Sequence, residues 1–438
     1  MRLRIEELVL YRDVEGGVLD TLVRLQRGEA GAADGTVMLS AGRVPAYCRM
    51  MQEMFDIAEN YGFSGNVWHS WLTWFLVYHE NAYSKAAEIR EHVAGGINLV
   101  ALHDFEIFRQ LFAYDFSDLE QELSVSLYRM AADYEFGGDD RRLAGRRIRD
   151  RIEDLSRKLS GSRDAVEFKQ YVDDFYRDFG CGKFGLHKAF RIIHDGAGMM
   201  QIVPITNIAH VRLDDLIGCE IQKKKLRENT EAFLAGRRAN NCLLFGDAGT
   251  GKSSSIKGIL NEYYEQGLRI IEVYKHQFKE LVNVLAQIKN RNYRFIIYMD
   301  DLSFEDFETD YKYLKAVIEG GLEKKPENVL IYATSNRRHL IRENYEDKEG
   351  EIRSDMHTSD TVQEKLSLSY RFGVTIYFGA PDRKEFNRIL KGICDREGLN
   401  VEEEKLYREA NAWELSHGGR SGRSAKQFID HLLGTMEE

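Results

Sequence analysis

The chain has no paired-cysteine pattern, no long apolar run and no excess of positive charge, and each absence removes a class of protein. Its five cysteines, Cys48, Cys181, Cys219, Cys242 and Cys394, are scattered without C-x-x-C spacing, which fits reduced thiols better than a disulfide framework or a zinc site. The stretch Met1 to Gly16 is interrupted by Arg2, Arg4, Glu6, Glu7 and Arg12, leaving no apolar core for a signal peptide. The most hydrophobic stretch, Val67 to Tyr78, contains His69 and is too short to span a bilayer. A cytoplasmic protein with no membrane partner is the expectation. A net charge of −10 argues against indiscriminate nucleic-acid binding, although a local basic stripe can exist on an acidic protein.

What is present is a chain of 438 residues, 43% hydrophobic, long enough for two folded units and a small helical appendage. One stretch organises it. The apolar run Cys242 to Phe245 leads into Gly246-Asp247-Ala248-Gly249-Thr250-Gly251-Lys252-Ser253, followed by Ser254, which meets G-x-x-x-x-G-K-[ST] at every specified position. Glycines there let backbone N–H groups curl around an anion, and the following helix N-terminus adds its positive dipole end. Lys252 would reach the β- and γ-phosphates of ATP, and the Ser253 hydroxyl would ligate Mg²⁺. The G-x-G-x-x-G dinucleotide fingerprint is not met, so a Rossmann reading drops out.

Residues 1–200 read as a mostly helical N-terminal domain. Cys48, Met51, Phe55 and Ala58, and then Trp71, Trp74, Phe75 and Tyr78, each recur at helical spacing. The aromatic stripe reads as core packing, with a peptide groove as the alternative. The charged run 139–159 has Ile148, Ile152, Leu155 and Leu159 beneath its arginines; a solvated face with Asp150, Glu153 and Asp154 as partners competes with a phosphate-contacting surface. The glycine-rich turn Phe179 to Gly185 reads as a connection. Gly196, Gly198 and Pro204 mark a boundary.

From 205 to 380 the pattern alternates. Strands are expected at Cys242–Phe245, Arg269–Val273, Arg294–Met299, Val329–Ala333 and Val374–Phe378, with helices over Gln222–Leu234, up to Gln266, and over His276–Lys289. That pattern implies an α/β core with a five-stranded parallel sheet covered on both faces. The polar segment 343–363, with His357, reads as a mobile insertion. Residues 381–438 read as helical: Asp382 and Glu385 sit as a capping-box pair, Phe386, Ile389, Leu390 and Ile393 share a face, and so do Ala425, Phe428, Ile429, Leu432 and Leu433.

A P-loop needs a metal-orienting carboxylate at a neighbouring strand end, and Phe295-Ile296-Ile297-Tyr298-Met299-Asp300-Asp301 has the form of such a segment. Asp300 would hold the Mg²⁺ hydration shell, with Asp301 the candidate base for the attacking water. Two acids could instead cap the next turn. With this pair, residues 205–438 resemble the AAA+ ATPases. The resemblance implies a C-terminal helical lid (381–438) over the nucleotide and a homo-oligomer whose neighbours complete each site. It also implies Thr334-Ser335-Asn336 as sensor 1, with Asn336 placed to hydrogen-bond the attacking water or the γ-phosphate. Arg371 in Leu368 to Gly373 would be an arginine finger, and Arg423 in Gly422-Arg423-Ser424-Ala425 a sensor 2 residue. Leu216-Ile217-Gly218 would contact the adenine. Either arginine could equally be an ordinary surface residue.

The runs A-T-S-N-R-R-H-L, E-K-L-S-L-S-Y-R-F-G and G-R-S-A-K-Q-F are most similar to an uncharacterised AAA+ group, a domain of unknown function with a helical N-terminal region. Most members of the superfamily end the acidic strand in Asp-Glu; Asp300-Asp301 is shorter by one methylene, about 1.5 Å, which predicts slow hydrolysis. The expected activity is Mg²⁺-dependent ATP hydrolysis coupled to a protein client of the N-terminal domain. The alternatives are a nucleotide switch with little turnover, or a DNA-transaction ATPase of the helicase-loader kind. Tyr274-Lys275-His276 stands where an unfoldase pore loop would be, which disfavours substrate threading.

Overall fold

The computed structural model describes residues 3–28, 42–89, 93–138, 146–304, 310–319, 325–336 and 371–435. The polar segment 343–363 with His357, residues 139–145 of the charged run and residues 368–370 ahead of Arg371 lie outside them. The chain divides into two compact units, Met1–His187 and Lys188–Glu438.

The first unit is helical: α1 (Val18–Gln26), α2 (Arg43–Tyr61), α3 (Val67–Tyr78), α4 (Ala82–Ile89), α5 (Gly96–Phe112), α6 (Ser117–Leu123), α7 (Tyr128–Ala132), α8 (Arg146–Ser160), α9 (Ala165–Phe179) and α10 (Gly182–Leu186). Its core is aromatic. Trp68 and Trp71 stack at 5.9 Å and Trp71 stacks on Phe75 at 5.3 Å, so Trp71 and Phe75 of the aromatic stripe are core packing, while Trp74 is half-buried and Tyr78 is exposed. On α2 the buried face is rotated from the expected one: Tyr47, Met50, Met51, Met54 and Ala58 point inward while Cys48 is exposed. Cys48 is weakly hydrophobic and its larger neighbour Tyr47 takes the inner position. The buried Asp104 carboxylate anchors the segment before α1 by accepting N–H bonds from Val9, Leu10 and Tyr11 at 2.7–3.2 Å. On α8, Ile148, Ile152, Leu155 and Leu159 are buried, and Asp150 and Asp154 pair with Arg146, Arg157 and Lys158. Part of the charge of α8 is therefore met within the helix, where six basic residues outnumber three acids.

Among the described residues the second unit holds a sheet of seven strands, not five. They are β1 (Ala189–His194), β2 (Met200–Pro204), β3 (Cys242–Gly246), β4 (Leu268–Glu272), β5 (Arg294–Met299), β6 (Val329–Ser335) and β7 (Val374–Phe378), in the order β2-β1-β4-β5-β6-β3-β7. Every neighbouring pair is parallel except the hairpin β1–β2. Gly196 and Gly198, taken from the sequence as a boundary, belong to the turn of that hairpin. There Asp195 caps the reversal by accepting from Ala197 and Met199. The signal was weak because β1 and β2 are short and half exposed. By contrast β3, β5 and β6 are buried almost throughout, as strands covered on both faces must be.

Among the described residues, four helices join these strands: α11 (Glu220–Leu234), α12 (Lys252–Tyr263), α13 (Leu281–Ile288) and α14 (Tyr311–Glu319). The helix expected over His276–Lys289 splits into a 3-10 turn, Lys275–Glu280, and α13. One face of the sheet packs Cys242, Leu244, Ile296 and Tyr332 against Leu226 and Phe233 of α11 and Ile256 and Ile259 of α12. After β7 come α15 (Arg383–Glu397), α16 (Glu403–Ser416) and α17 (Gly422–Thr435), with a small core of Phe386, Leu390, Cys394, Leu406, Ala410, Ala425, Phe428 and Ile429. Asp382 caps α15 by accepting from the Glu385 N–H at 2.8 Å. The reciprocal half of the expected capping box is not what Glu385 does; its carboxylate lies beside Gly218.

Candidate functional site

The site is built on the C-terminal edge of the parallel strands, where β3 ends in Gly246. Gly246 has φ +135, and a Cβ there would run into the Phe378 carbonyl of β7, so only glycine lets β3 and β7 close this tightly. Asp247 fastens the loop to the β7 exit. Its N–H donates to Phe378 O at 2.9 Å and its carboxylate accepts from Ala380 N–H at 2.7 Å. Ala248 at the tip is exposed. Thr250 closes the turn through its hydroxyl to Asp247 O at 2.8 Å, and Gly249 and Gly251 take φ +74 and +95. Gly251 is the N-cap of α12, so Lys252, Ser253 and Ser254 form the first turn, whose amides have no intrahelical carbonyl to bond. The result is a concave nest of amides at the positive end of a helix.

Lys252 is buried at 6% exposure with its ammonium in the mouth of this nest. It donates to Gly246 O at 3.0 Å, Asp247 O at 2.6 Å and Asn336 Oδ1 at 2.9 Å. Burial lowers its pKa, against the opposing pull of Asp247, Asp301 and Asp300, and nearby Arg423 lowers it further.

At the end of β5, one oxygen of Asp300 receives three hydroxyls: Ser253 at 2.7 Å, Thr334 at 2.5 Å and Tyr298 at 2.7 Å. Burial acts to raise its pKa, but these hydrogen bonds outweigh it and hold the carboxyl below its usual value. Asp301 adopts φ +49, in the left-handed region, and this turn is held by its N–H to Thr334 Oγ1 at 2.9 Å. Its carboxylate accepts from Asn336 Nδ2 at 2.7 Å. Asn336 thus spans Lys252 and Asp301 with the two ends of one amide. The Ser253 hydroxyl and Asp300 carboxylate are hard oxygen donors of the kind Mg²⁺ takes, and the glycine cradle above Lys252 has the form a polyphosphate needs.

Tyr298 and Thr334 were not singled out from the sequence as ligands of Asp300. The signal was there in principle, because Tyr298 is two residues before Asp300 on the same face of β5 and Thr334 lies one strand over.

Leu216-Ile217-Gly218 comes against the same loop. Leu216 O accepts from the buried Lys223 ammonium at 2.7 Å, and Ile217 lies against Gly392 of α15, which has no room for a Cβ. Gly218 and Cys219 both have positive φ, +81 and +58, and the Cys219 thiol is 3.9 Å from Thr250 O. From the other side the start of α17 meets the P-loop: Arg423 N–H donates to Gly249 O at 3.2 Å, and Ser421 Oγ would be 2.9 Å from a Cβ on Gly249. The exposed Arg423 side chain is therefore at its own chain's loop.

Arg371 is not. It lies three residues before Val374, whose register partner is Cys242, while Gly246 pairs with Phe378. At about 3.3 Å per residue, seven residues separate Arg371 from the P-loop level by roughly 23 Å. It sits on the opposite edge of the sheet.

The family model described as "Protein of unknown function (DUF815)" matches residues 186–436. Comparison with curated proteins finds no match. Among solved structures, a RuvB variant of Thermotoga maritima is 16% identical and overlaps 50% of this chain and 72% of its own at a TM-score of 0.33. The RuvB Holliday junction branch migration motor of the same organism is 15% identical, with the same coverage and a TM-score of 0.33.

Proposed function

The chain belongs to the family described as Protein of unknown function (DUF815), and within it we propose an ATP-binding AAA+ protein that hydrolyses ATP with Mg²⁺. The observation that carries this reading is the double junction at the crevice. Ser253 Oγ lies 2.7 Å from Asp300, and Asn336 joins the Lys252 ammonium to Asp301. In this reading Gly246 to Ser254 wrap the phosphates, and Lys252 exchanges its two backbone carbonyls for phosphate oxygens. Ser253 and Asp300 would hold Mg²⁺, whose charge neutralises the β- and γ-phosphate oxygens. Asp301 accepts a proton from the attacking water, which Asn336 orients. Arg423 acts on its own chain's nucleotide and Leu216-Ile217-Gly218 on the base. Arg371, too far from its own P-loop, serves a neighbouring copy, so the working form is a homo-oligomer with α15–α17 as a lid. The helical unit, in this reading, receives a protein client in the cytoplasm.

A second reading, a nucleotide switch with little turnover, is favoured by one observation: the short Asp301 carboxylate is already engaged by Asn336. A phosphate-release assay on Asp301→Asn separates the two. Unchanged ATP binding with turnover lost supports hydrolysis by Asp301; wild-type turnover in the variant removes Asp301 as the base.

A further inference from the structure

The edge of the sheet opposite the P-loop is basic in an acidic protein. Among the described residues, Arg237 and Arg238 lead into β3, Arg294 opens β5, Lys325 precedes β6 and Arg371 precedes β7, against the acids Glu265 and Glu327. Lys325 stands out. Its ammonium donates to Asn241 Oδ1 at 2.6 Å, and that same oxygen accepts the Ile331 N–H of β6 at 2.9 Å. The Asn241 carbonyl takes the Val374 N–H of β7 at 3.1 Å. Its neighbour Asn240 packs under Gly373, where a Cβ would be 2.7 Å from the Asn240 side chain. The Asn240-Asn241 pair therefore ties together the starts of β3, β6 and β7, holds Lys325, and lies under the segment that carries Arg371.

Among the described residues the Lys325 ammonium meets no carboxylate, and burial pulls its pKa down to about 8. A cation withdrawn from water without a counter-ion costs stability, so the fold alone gives little reason to keep it. Its head is at the level of Asn241, five residues or about 17 Å from Gly246, beyond reach of its own P-loop. Among the described residues none supplies the anion it suits.

We propose that Lys325 is a second cation, beside Arg371, that this chain lends to the phosphates of a nucleotide bound by an adjacent copy. The inference rests on the ATP-binding reading above. A second copy fits better than a nucleic acid because the chain's net charge is −10. The nucleotide-bearing edge of a copy, with Asp247, Asp300, Asp301 and a triphosphate, is the charge complement of this edge, and joining unlike edges gives a head-to-tail contact. An ammonium presents a point charge to phosphate oxygens beside the fork of an arginine.

The test uses the full chain. Lys325→Gln keeps a donor for Asn241 and removes the charge. It should still bind MgATP through its intact Gly246–Ser254 loop and lose turnover by about tenfold or more, in the direction of trans-acting arginines, with partial rescue in Lys325→Arg. Mixed one to one with Lys252→Ala, activity should recover, since about a quarter of head-to-tail contacts then join an intact P-loop to an intact Lys325. A defect confined within the Lys325→Gln subunit would not be rescued by a partner, so absence of recovery overturns the inference, as does wild-type turnover in Lys325→Gln alone. If the wild type binds MgATP without turnover, the comparison is read on ATP-dependent self-association, which Lys325→Gln should weaken and whose persistence unchanged would overturn the inference. Loss of oligonucleotide binding with ATP-dependent assembly intact assigns the cation to nucleic acid and also overturns it. A wild type that binds no MgATP fails the underlying reading, and the inference falls with it.

Discussion

Thr334→Val probes the junction at the crevice through the side chain that bonds both Asp300 and Asp301. The side chain is 2% exposed, and valine replaces its hydroxyl by a methyl of similar volume, so the change falls on its hydrogen bonds. Two bonds go: the 2.5 Å donation to Asp300, and the 2.9 Å acceptance from Asp301 N–H that holds the left-handed turn. A hydrogen bond to a charged group contributes about 1.5–3 kcal/mol and a stranded amide costs about 1–3 kcal/mol. Asp300 is solvent-accessible, so water replaces part of the first loss. A destabilisation of about 2 kcal/mol follows, or roughly 4–8 °C in the Tm of a unit this size.

The pH dependence follows from the same bond. The Asp300 carboxyl is held below its usual value partly by Thr334, so its stabilisation is present above the unfolded-state pKa and lost as pH falls through the folded-state value. The deficit of Thr334→Val should accordingly be full at pH 7 and shrink in acid. Urea denaturation across pH, with MgATP affinity measured alongside, reads both effects. A variant within about 0.5 kcal/mol of wild type with unchanged Mg²⁺ dependence would refute the claim that Thr334 organises the two acids.

Two other expectations concern single positions. Gly246→Ala places a methyl against the Phe378 carbonyl at φ +135; we expect a loss of about 1–3 kcal/mol together with weakened MgATP binding, checked by thermal melts with and without nucleotide. For Lys325 the folded-state pKa of about 8 lies below the ordinary 10.5. The unfolded chain therefore holds the proton more tightly, and the charged form penalises folding below pH 8, a penalty that fades as pH rises towards 10.5. Lys325→Met should be more stable than wild type at pH 7 by about 1–3 kcal/mol after allowance for partial exposure, and the gain should vanish near pH 10.5 in denaturant melts.

Much of the second unit was legible because its signals are local. A glycine pattern with a fixed Lys-Ser ending marks a strand–turn–helix within a few residues, and runs such as Phe295 to Met299 are apolar on both faces because both faces are covered. The hairpin β1–β2 was not legible: its strands alternate only partly, and two glycines in a tight turn look like a linker until their pairing is seen. The same limit hid the Asp247 clamp on Ala380, the Thr334 hydroxyl on Asp300 and the role of Asn241, since each joins residues far apart in the chain. On α2 the helical period was right and the phase was off by one position, because Tyr47 outweighs Cys48 for the inner face.

The central claim, that the loop from Gly246 to Ser254 holds a nucleotide triphosphate, is tested most directly by titrating ATP into the wild type and Lys252→Ala by calorimetry, with and without Mg²⁺. The account predicts saturable, Mg²⁺-strengthened binding by the wild type and a loss of about tenfold or more in Lys252→Ala, the equivalent of at least 1.4 kcal/mol, with the circular dichroism of both chains the same. Equal affinity in the two folded proteins, or no ATP binding by the wild type, would contradict it.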